Sequence, residues 1–254
     1  MPSQTVVFDL EGTLVYLKVD DSKVVEFLVG ELRRLDPGLD FQRAHGAVEI
    51  LREVEGKVQG SALEETKKSV SSKLAEVEKA SAGSARERKD ARSALSSLQS
   101  KGIKVGAITG FSEQGAKEVL KHVGLEGAVP ILGSRDDSMD QSQRITIALK
   151  KSGSKPEDAT FVADGSSDVE AARSSGVKCF AIYSQEVPVN QILTSKPDAF
   201  LFSISELGDT ILLFAQKSEL QQVKLADGAG GPQPGTAPDA AQTSEPGREA
   251  TGGR

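Results

Sequence analysis

The chain holds no tryptophan, two tyrosines, two methionines and a single cysteine in its 254 residues. One cysteine excludes an internal disulfide. Cys179 lies in the apolar run Gly176–Ile182, where a buried structural thiol is the expectation. Long hydrophobic runs are missing too. No stretch approaches the ~20 apolar residues that a membrane-spanning helix requires. The first apolar run is cut short by Asp9 and Glu11, so no secretory leader is expected. An excess of positive charge is also lacking. The net charge of −6 argues against the basic face that a nucleic-acid-binding protein presents. These absences lead to the expectation of a soluble, cytoplasmic protein with no nucleic-acid and no membrane partner. Between residue 226 and Arg254 there is no aromatic or branched aliphatic side chain. Nothing there offsets the entropy of ordering, and a disordered tail over 221–254 is expected.

What is present reads as alternating strands and helices. Short branched runs occur at Thr5–Phe8, Ile103–Ile108, Val129–Leu132, Thr160–Ala163, Val177–Ile182 and Ala199–Phe202. Helical patterns lie at Gln114–Val123, Gln141–Lys151, Asp168–Ser175 and Ser205–Phe214. Strands separated by helices of this length predict parallel βαβ units, hence an α/β fold with a doubly wound parallel sheet. Ligands of such sheets bind beyond the carboxyl ends of the strands.

Residues 20–84 break this rhythm. No proline occurs between Pro37 and Pro130, and no Phe, Tyr or Trp between Phe41 and Phe111. Apolar residues recur at helical spacing: Val48, Leu51, Val54 and Val58, then Leu63, Val70, Leu74 and Val77. The segment reads as an all-helical insertion of three or four helices, which either packs on the main domain or pairs with a second copy in a homodimer. A helix over Ala85–Ser100 is expected to lead back into the second main strand. The domain division is therefore 1–19 with 85–220 as the core, 20–84 as the insertion, and 221–254 as the tail.

The strand ends carry the chemistry. Asp9 and Glu11 follow the first strand two residues apart, which puts both carboxyls on one side of an extended backbone. Gly12-Thr13 then permits a sharp turn. Thr109-Gly110 ends another strand with a hydroxyl and an unobstructed amide, and Asp164-Gly165-Ser166-Ser167-Asp168 ends a third. Gathering carboxylates at one edge is costly unless a cation offsets their charge. All-oxygen donors suit magnesium, which takes one or two carboxylates and keeps several waters. His45 and His122 carry no catalytic weight in this reading.

These segments resemble the motifs of the haloacid dehalogenase-like superfamily, in its capped phosphatase, phosphoglycolate phosphatase-like form. Phe8-Asp9-Leu10-Glu11-Gly12-Thr13-Leu14 is similar to the first motif and Ile108-Thr109-Gly110 to the second. Phe161 to Asp168, with Ala171 to Val177 behind it, resembles the fourth. The resemblance spans roughly residues 5–20 and 85–217, and the insertion falls where members of the superfamily carry a cap. It implies a Rossmann-like core and a magnesium-dependent phosphatase acting on a small phosphorylated metabolite. In that chemistry Asp9 would be the nucleophile and Glu11 the acid and base. Thr109 and Gly110 would hold the phosphoryl oxygens. Asp9, the carbonyl of Glu11, Asp164 and Asp168 would bind Mg2+.

Three positions depart from the family pattern. Glu11 stands for the usual second aspartate, and Ala163 for the glycine before Asp164. The third motif should supply a lysine or arginine, but the matching interval falls on Met139. Arg135 is the first substitute, with Arg144 and Lys150 as alternatives. If no cation fills that place, the implied alternative is a catalytically weakened scaffold of the same fold. A phosphomutase or a dehalogenase would share the nucleophile.

Overall fold

The structure is a computed structural model, described for residues 5–41, 46–54, 57–58, 60–214 and 216. The expected tail, 221–254, and His45 lie outside the described residues. In chain order the elements are β1 (Thr5–Asp9), β2 (Val15–Tyr16), α1 (Ser22–Leu35), α2 (Ala47–Val54), α3 (Ser61–Ala82) and β3 (Arg86–Glu87). Then follow α4 (Ala91–Ser100), β4 (Lys104–Ile108), α5 (Glu113–His122), β5 (Ile131–Gly133) and α6 (Gln141–Ser152). The last are β6 (Ala159–Ala163), α7 (Ser166–Ser174), β7 (Lys178–Ile182), α8 (Val189–Thr194) and β8 (Ala199–Leu201), with helical turns over 204–214.

Six strands form one parallel sheet in the order β5-β4-β1-β6-β7-β8. β1 lies at its centre, and the order reverses direction between β1 and β6. That crevice is where a doubly wound sheet receives its ligand. The four central strands are buried on both faces, which explains why they read as continuous apolar runs rather than alternating ones.

Alternation along β1 divides the core in two. Val6 and Phe8 join a cluster with Leu95 and Leu98 of α4 and Val119 and Leu120 of α5. Val7 joins the opposite cluster with Ile145, Ala148 and Leu149 of α6 and Val169 and Ala172 of α7. Cys179 belongs to that second cluster, and burial pushes its thiol pKa upward, as expected of an inert structural cysteine.

The three helices α1 to α3 make a third cluster of their own, built on Leu28, Leu32, Ile50, Leu51, Val70 and Leu74. Their apolar stripe is covered within the chain, by packing of α1 on α3 and of α3 on α5. The helix expected from Ala85 begins only at Ala91. Arg86 and Glu87 instead pair antiparallel with Tyr16 and Val15, and Asp90 takes a left-handed conformation that breaks any helix running through it.

Candidate functional site

Asp9 closes β1. Two residues beyond Val7, it follows that residue onto the face covered by α6 and α7. It accordingly lines a cavity of about 210 Å3 with Arg144 and Gln141 of α6, Ser167 and Asp168 of α7, and Arg52 of α2.

Glu11 does not continue the strand. The amides of Leu14 and Val15 both bond the Leu10 carbonyl at 3.0 Å, so the chain bends immediately after Asp9. The expectation of two carboxyls aligned by strand alternation is therefore corrected. Glu11 lines a second, neighbouring cavity of about 360 Å3 with Gly110, Phe111 and Arg135. Val48, Glu49 and Gly110 line both cavities. Thr109 was expected to hold phosphoryl oxygens, but its hydroxyl donates to Glu11 Oε1 and accepts from the Phe111 amide at 2.9 Å. Nothing lies within 4 Å of where a Gly110 side chain would project.

Gly12 makes the turn possible at φ +78°. Its carbonyl accepts from Arg88 Nη2, while Arg88 Nη1 donates to the Tyr183 carbonyl at 3.1 Å and its amide to Leu14 O at 2.9 Å. Arg88 thus straps the motif-one loop to the end of β7. Asp164, at the end of β6, accepts from Thr13 Oγ1 at 3.5 Å and from the Ser184 side chain. Ala163, where a glycine was expected, lies on β6 without a positive φ, so the side chain costs nothing there. Asp168 reaches back to the Gly165 amide at 2.8 Å and accepts from Gln141 Nε2 at 2.6 Å. It both caps α7 and faces Asp9.

The cation expected near Asp9 is Arg144 rather than Arg135. Arg135 is buried in an ion pair with Glu78 of α3, and its Nη1 also bonds the Gly110 carbonyl at 2.8 Å. Its charge is committed to Glu78, whose other oxygen accepts from Ser112 Oγ at 2.6 Å. Arg144 Nη1 bonds the carbonyls of Ser138 and Met139 at 3.0 and 2.8 Å, and its charge acts on Asp9, Glu11 and Asp168. Met139 itself packs against the helical cluster of the insertion. Lys150 is exposed, about 9 Å further along the helix axis. Neither Arg52 nor Gln141 is legible as a site residue in the sequence. Their place follows only from how α2 and the start of α6 fold over the strand ends.

Burial is the first cause of raised pKa values in all four carboxylates of the site. For Asp9 the charges of Asp168, Glu11 and Asp164 push the same way, and Arg144 opposes them. Glu11 is raised by burial against its bond from Thr109 and the charge of Arg144. Asp164 is raised by burial and Asp168, with Ser184 and Arg88 opposing. Asp168 is raised by burial, against Gln141, Gly165 and Arg144. Such a set is a demand for positive charge. No group of three or more His, Cys, Asp or Glu placed to hold a metal occurs among the described residues. Magnesium needs only one or two carboxylates, and its remaining positions are commonly water. Asp9 and Asp164, on adjacent strands at the sheet's switch point, fit that need. Asp168, with both oxygens bonded to protein donors, supplies charge from behind.

The central strand of a parallel sheet thus ends in one aspartate, Asp9, and the adjacent strand β6 runs into another, Asp164. The chain belongs to the haloacid dehalogenase-like hydrolases, whose family model matches residues 4–176. A protein of Caldanaerobacter subterraneus subsp. tengcongensis, provisionally named pyrophosphatase PpaX, is 28% identical over 123 residues, covering 47% of this chain and 56% of that one. The chain thus spans about half the length of that relative. Phosphoglycolate phosphatase 1 of Pseudomonas aeruginosa is 27% identical over 187 residues, 70% of this chain and 68% of that one. The crystal structure of a predicted phosphatase from Clostridium acetobutylicum superposes with a TM-score of 0.58 at 17% identity, over 84% of this chain and 99% of that one. That likeness is one of fold. No helix among the described residues is long and apolar enough to cross a membrane.

Proposed function

We propose that this chain is a magnesium-dependent phosphatase that hydrolyses a small phosphorylated metabolite through an aspartyl-phosphate on Asp9. The observation that carries the reading is the shared cavity of Asp9, Arg144 and Asp168, with Glu11 lining the neighbouring one. The names of the relatives, a pyrophosphatase and a phosphoglycolate phosphatase, support phosphate-ester or anhydride chemistry. Magnesium bound at Asp9 and Asp164 would supply charge neutralisation and Lewis acidity at the phosphoryl oxygens.

Within the protein, Arg144 and Arg52 hold the phosphoryl group by charge. An Asp9 oxygen attacks phosphorus in line, forming the Asp9–phosphorus bond as the bond to the leaving oxygen breaks. Glu11, whose pKa is raised chiefly by burial, gives its proton to that oxygen. A water then attacks phosphorus, Glu11 takes the water's proton, and inorganic phosphate departs with Asp9 restored. Thr109 acts by orienting Glu11 rather than by touching the phosphoryl group.

Arg144 beside Asp9 favours this reading over a weakened scaffold, whose motive was a missing cation. Water as the acceptor separates it from a phosphomutase. The test is turnover of a phosphate-ester panel with and without magnesium, in the parent chain and in Asp9→Asn. Metal-dependent release of phosphate that vanishes in Asp9→Asn is expected; release that survives the substitution rejects Asp9 as nucleophile.

A further inference from the structure

The two cavities differ in chemistry, and the difference bears on the leaving group. The Asp9 cavity holds two guanidinium side chains, Arg52 and Arg144. The Glu11 cavity has one cationic side chain among its described lining residues, Arg135, and Glu78 already pairs with it. The apolar wall there is made by Val19, Val48, Leu74 and Phe111. Asp21 also lines it, with its Oδ2 accepting from the Ala47 amide at 2.9 Å.

In-line displacement puts nucleophile and leaving oxygen on opposite sides of phosphorus, and the general acid must touch the leaving oxygen. With Asp9 on one side and Glu11 on the other, the departing alcohol lies on the Glu11 side. The space of about 360 Å3 there equals the liquid volume of about a dozen waters. A second phosphate or a glycolate would fill a small part of it and would meet Asp21 with no uncommitted cation among the described lining residues.

We infer that the cavity beside Glu11 is the leaving-group pocket, and that it selects phosphomonoesters of an uncharged alcohol with an apolar face over substrates whose leaving group is anionic. This rests on the phosphatase reading and narrows its substrate class. Aryl and sugar monophosphates satisfy it, while pyrophosphate and phosphoglycolate do not.

The experiment uses the full chain with magnesium and compares kcat/KM for phenyl phosphate and glucose 6-phosphate with that for phosphoglycolate and pyrophosphate. Asp9→Asn is the control in every case. The expected preference for the uncharged leaving groups is about tenfold or more. Two variants then change the charge of the pocket, Asp21→Asn at its acidic side and Val19→Lys at its exposed rim. Each should raise the ratio of phosphoglycolate to phenyl phosphate kcat/KM about three- to tenfold. The ratio isolates charge, because a general loss of folding lowers both substrates together. Asp9-dependent turnover that favours phosphoglycolate or pyrophosphate, or a ratio unmoved in both variants, overturns the inference and leaves the phosphatase reading intact. Absence of Asp9-dependent turnover on all four substrates overturns the phosphatase reading and this inference with it.

Discussion

The carboxylate of Asp164 occupies the place where a side chain on Gly12 would go: a Cβ there would lie 2.5 Å from Asp164 Oδ2. The φ of Gly12 is also positive, at +78°, so a substituent faces both backbone strain and a collision. Gly12→Ala should push Asp164 away from Asp9 or shift the loop that carries Glu11. A displacement of about 1 Å at such a site costs on the order of 100-fold in rate. We expect kcat to fall by about that factor, with magnesium affinity weakened in parallel by calorimetric titration. Parent affinity and rate in the Gly12→Ala variant would show that the two strand ends are not coupled through this contact.

Arg144 and Arg135 should separate cleanly on substitution. Arg144 acts on Asp9 and Glu11 by charge, and losing one stabilising charge in such a site typically costs about 100- to 1000-fold in kcat. Arg144→Gln should show that loss together with a lower melting temperature, because the buried side chain also holds the Ser138 and Met139 carbonyls, and Arg144→Lys should recover part of the rate. Lys150→Gln should behave as the parent. Steady-state kinetics on one ester, read beside thermal melts, is sufficient.

Glu78 and Arg135 form a buried pair that ties α3 to the loop after β4. Removing one partner leaves the other charged and buried, which usually costs about 3–5 kcal/mol. Glu78→Gln and Arg135→Met should each lower stability by about that amount in urea denaturation, and the double variant should lose less than the sum of the two. Additive losses would mean that the two side chains do not depend on each other.

Much of this arrangement can be read along the chain, because the signals are local. Strand runs such as Val6-Val7-Phe8 are apolar on both faces, and the acidic turns that end them place Asp9 and Asp164 on one edge whatever the details of packing. Glu78 and Arg52 could not be found that way. Each lies in the helical insertion, and its partner is set by how α2 and α3 come to rest on the sheet. The choice between Arg135 and Arg144 failed for a related reason. Arg135 follows β5 on the active edge, but Asp9 faces the α6 side of the sheet. Side chains of a helix lean toward its N-terminus, so an arginine in the first turn of α6 leans back to that edge. Periodicity along β1 contained that answer; it needed only the knowledge that α6, rather than α5, covers the face of Val7.

The carboxylate cluster also sets a pH dependence whose sign runs opposite to ordinary acid denaturation. Asp9, Glu11, Asp164 and Asp168 all have folded-state pKa values raised, chiefly by burial. An unfolded carboxylate titrates near pH ~4, so between that value and the raised ones the folded state binds more protons than the unfolded state. Stability from these groups is complete below the unfolded value and is lost as pH rises through the folded ones. Asp20, Asp137 and Asp140, whose values are lowered, act the other way, but they are already ionised above pH ~4. Metal-free protein should therefore lose melting temperature as pH is raised from ~4 toward 7.5, and Asp9→Asn should flatten the loss. Magnesium should stabilise more as pH rises through the raised values, and its binding below them should release protons to the buffer. Differential scanning calorimetry across that range, with and without the metal, reads both effects; a metal-free melting temperature that climbs toward pH 7.5 would contradict the sign.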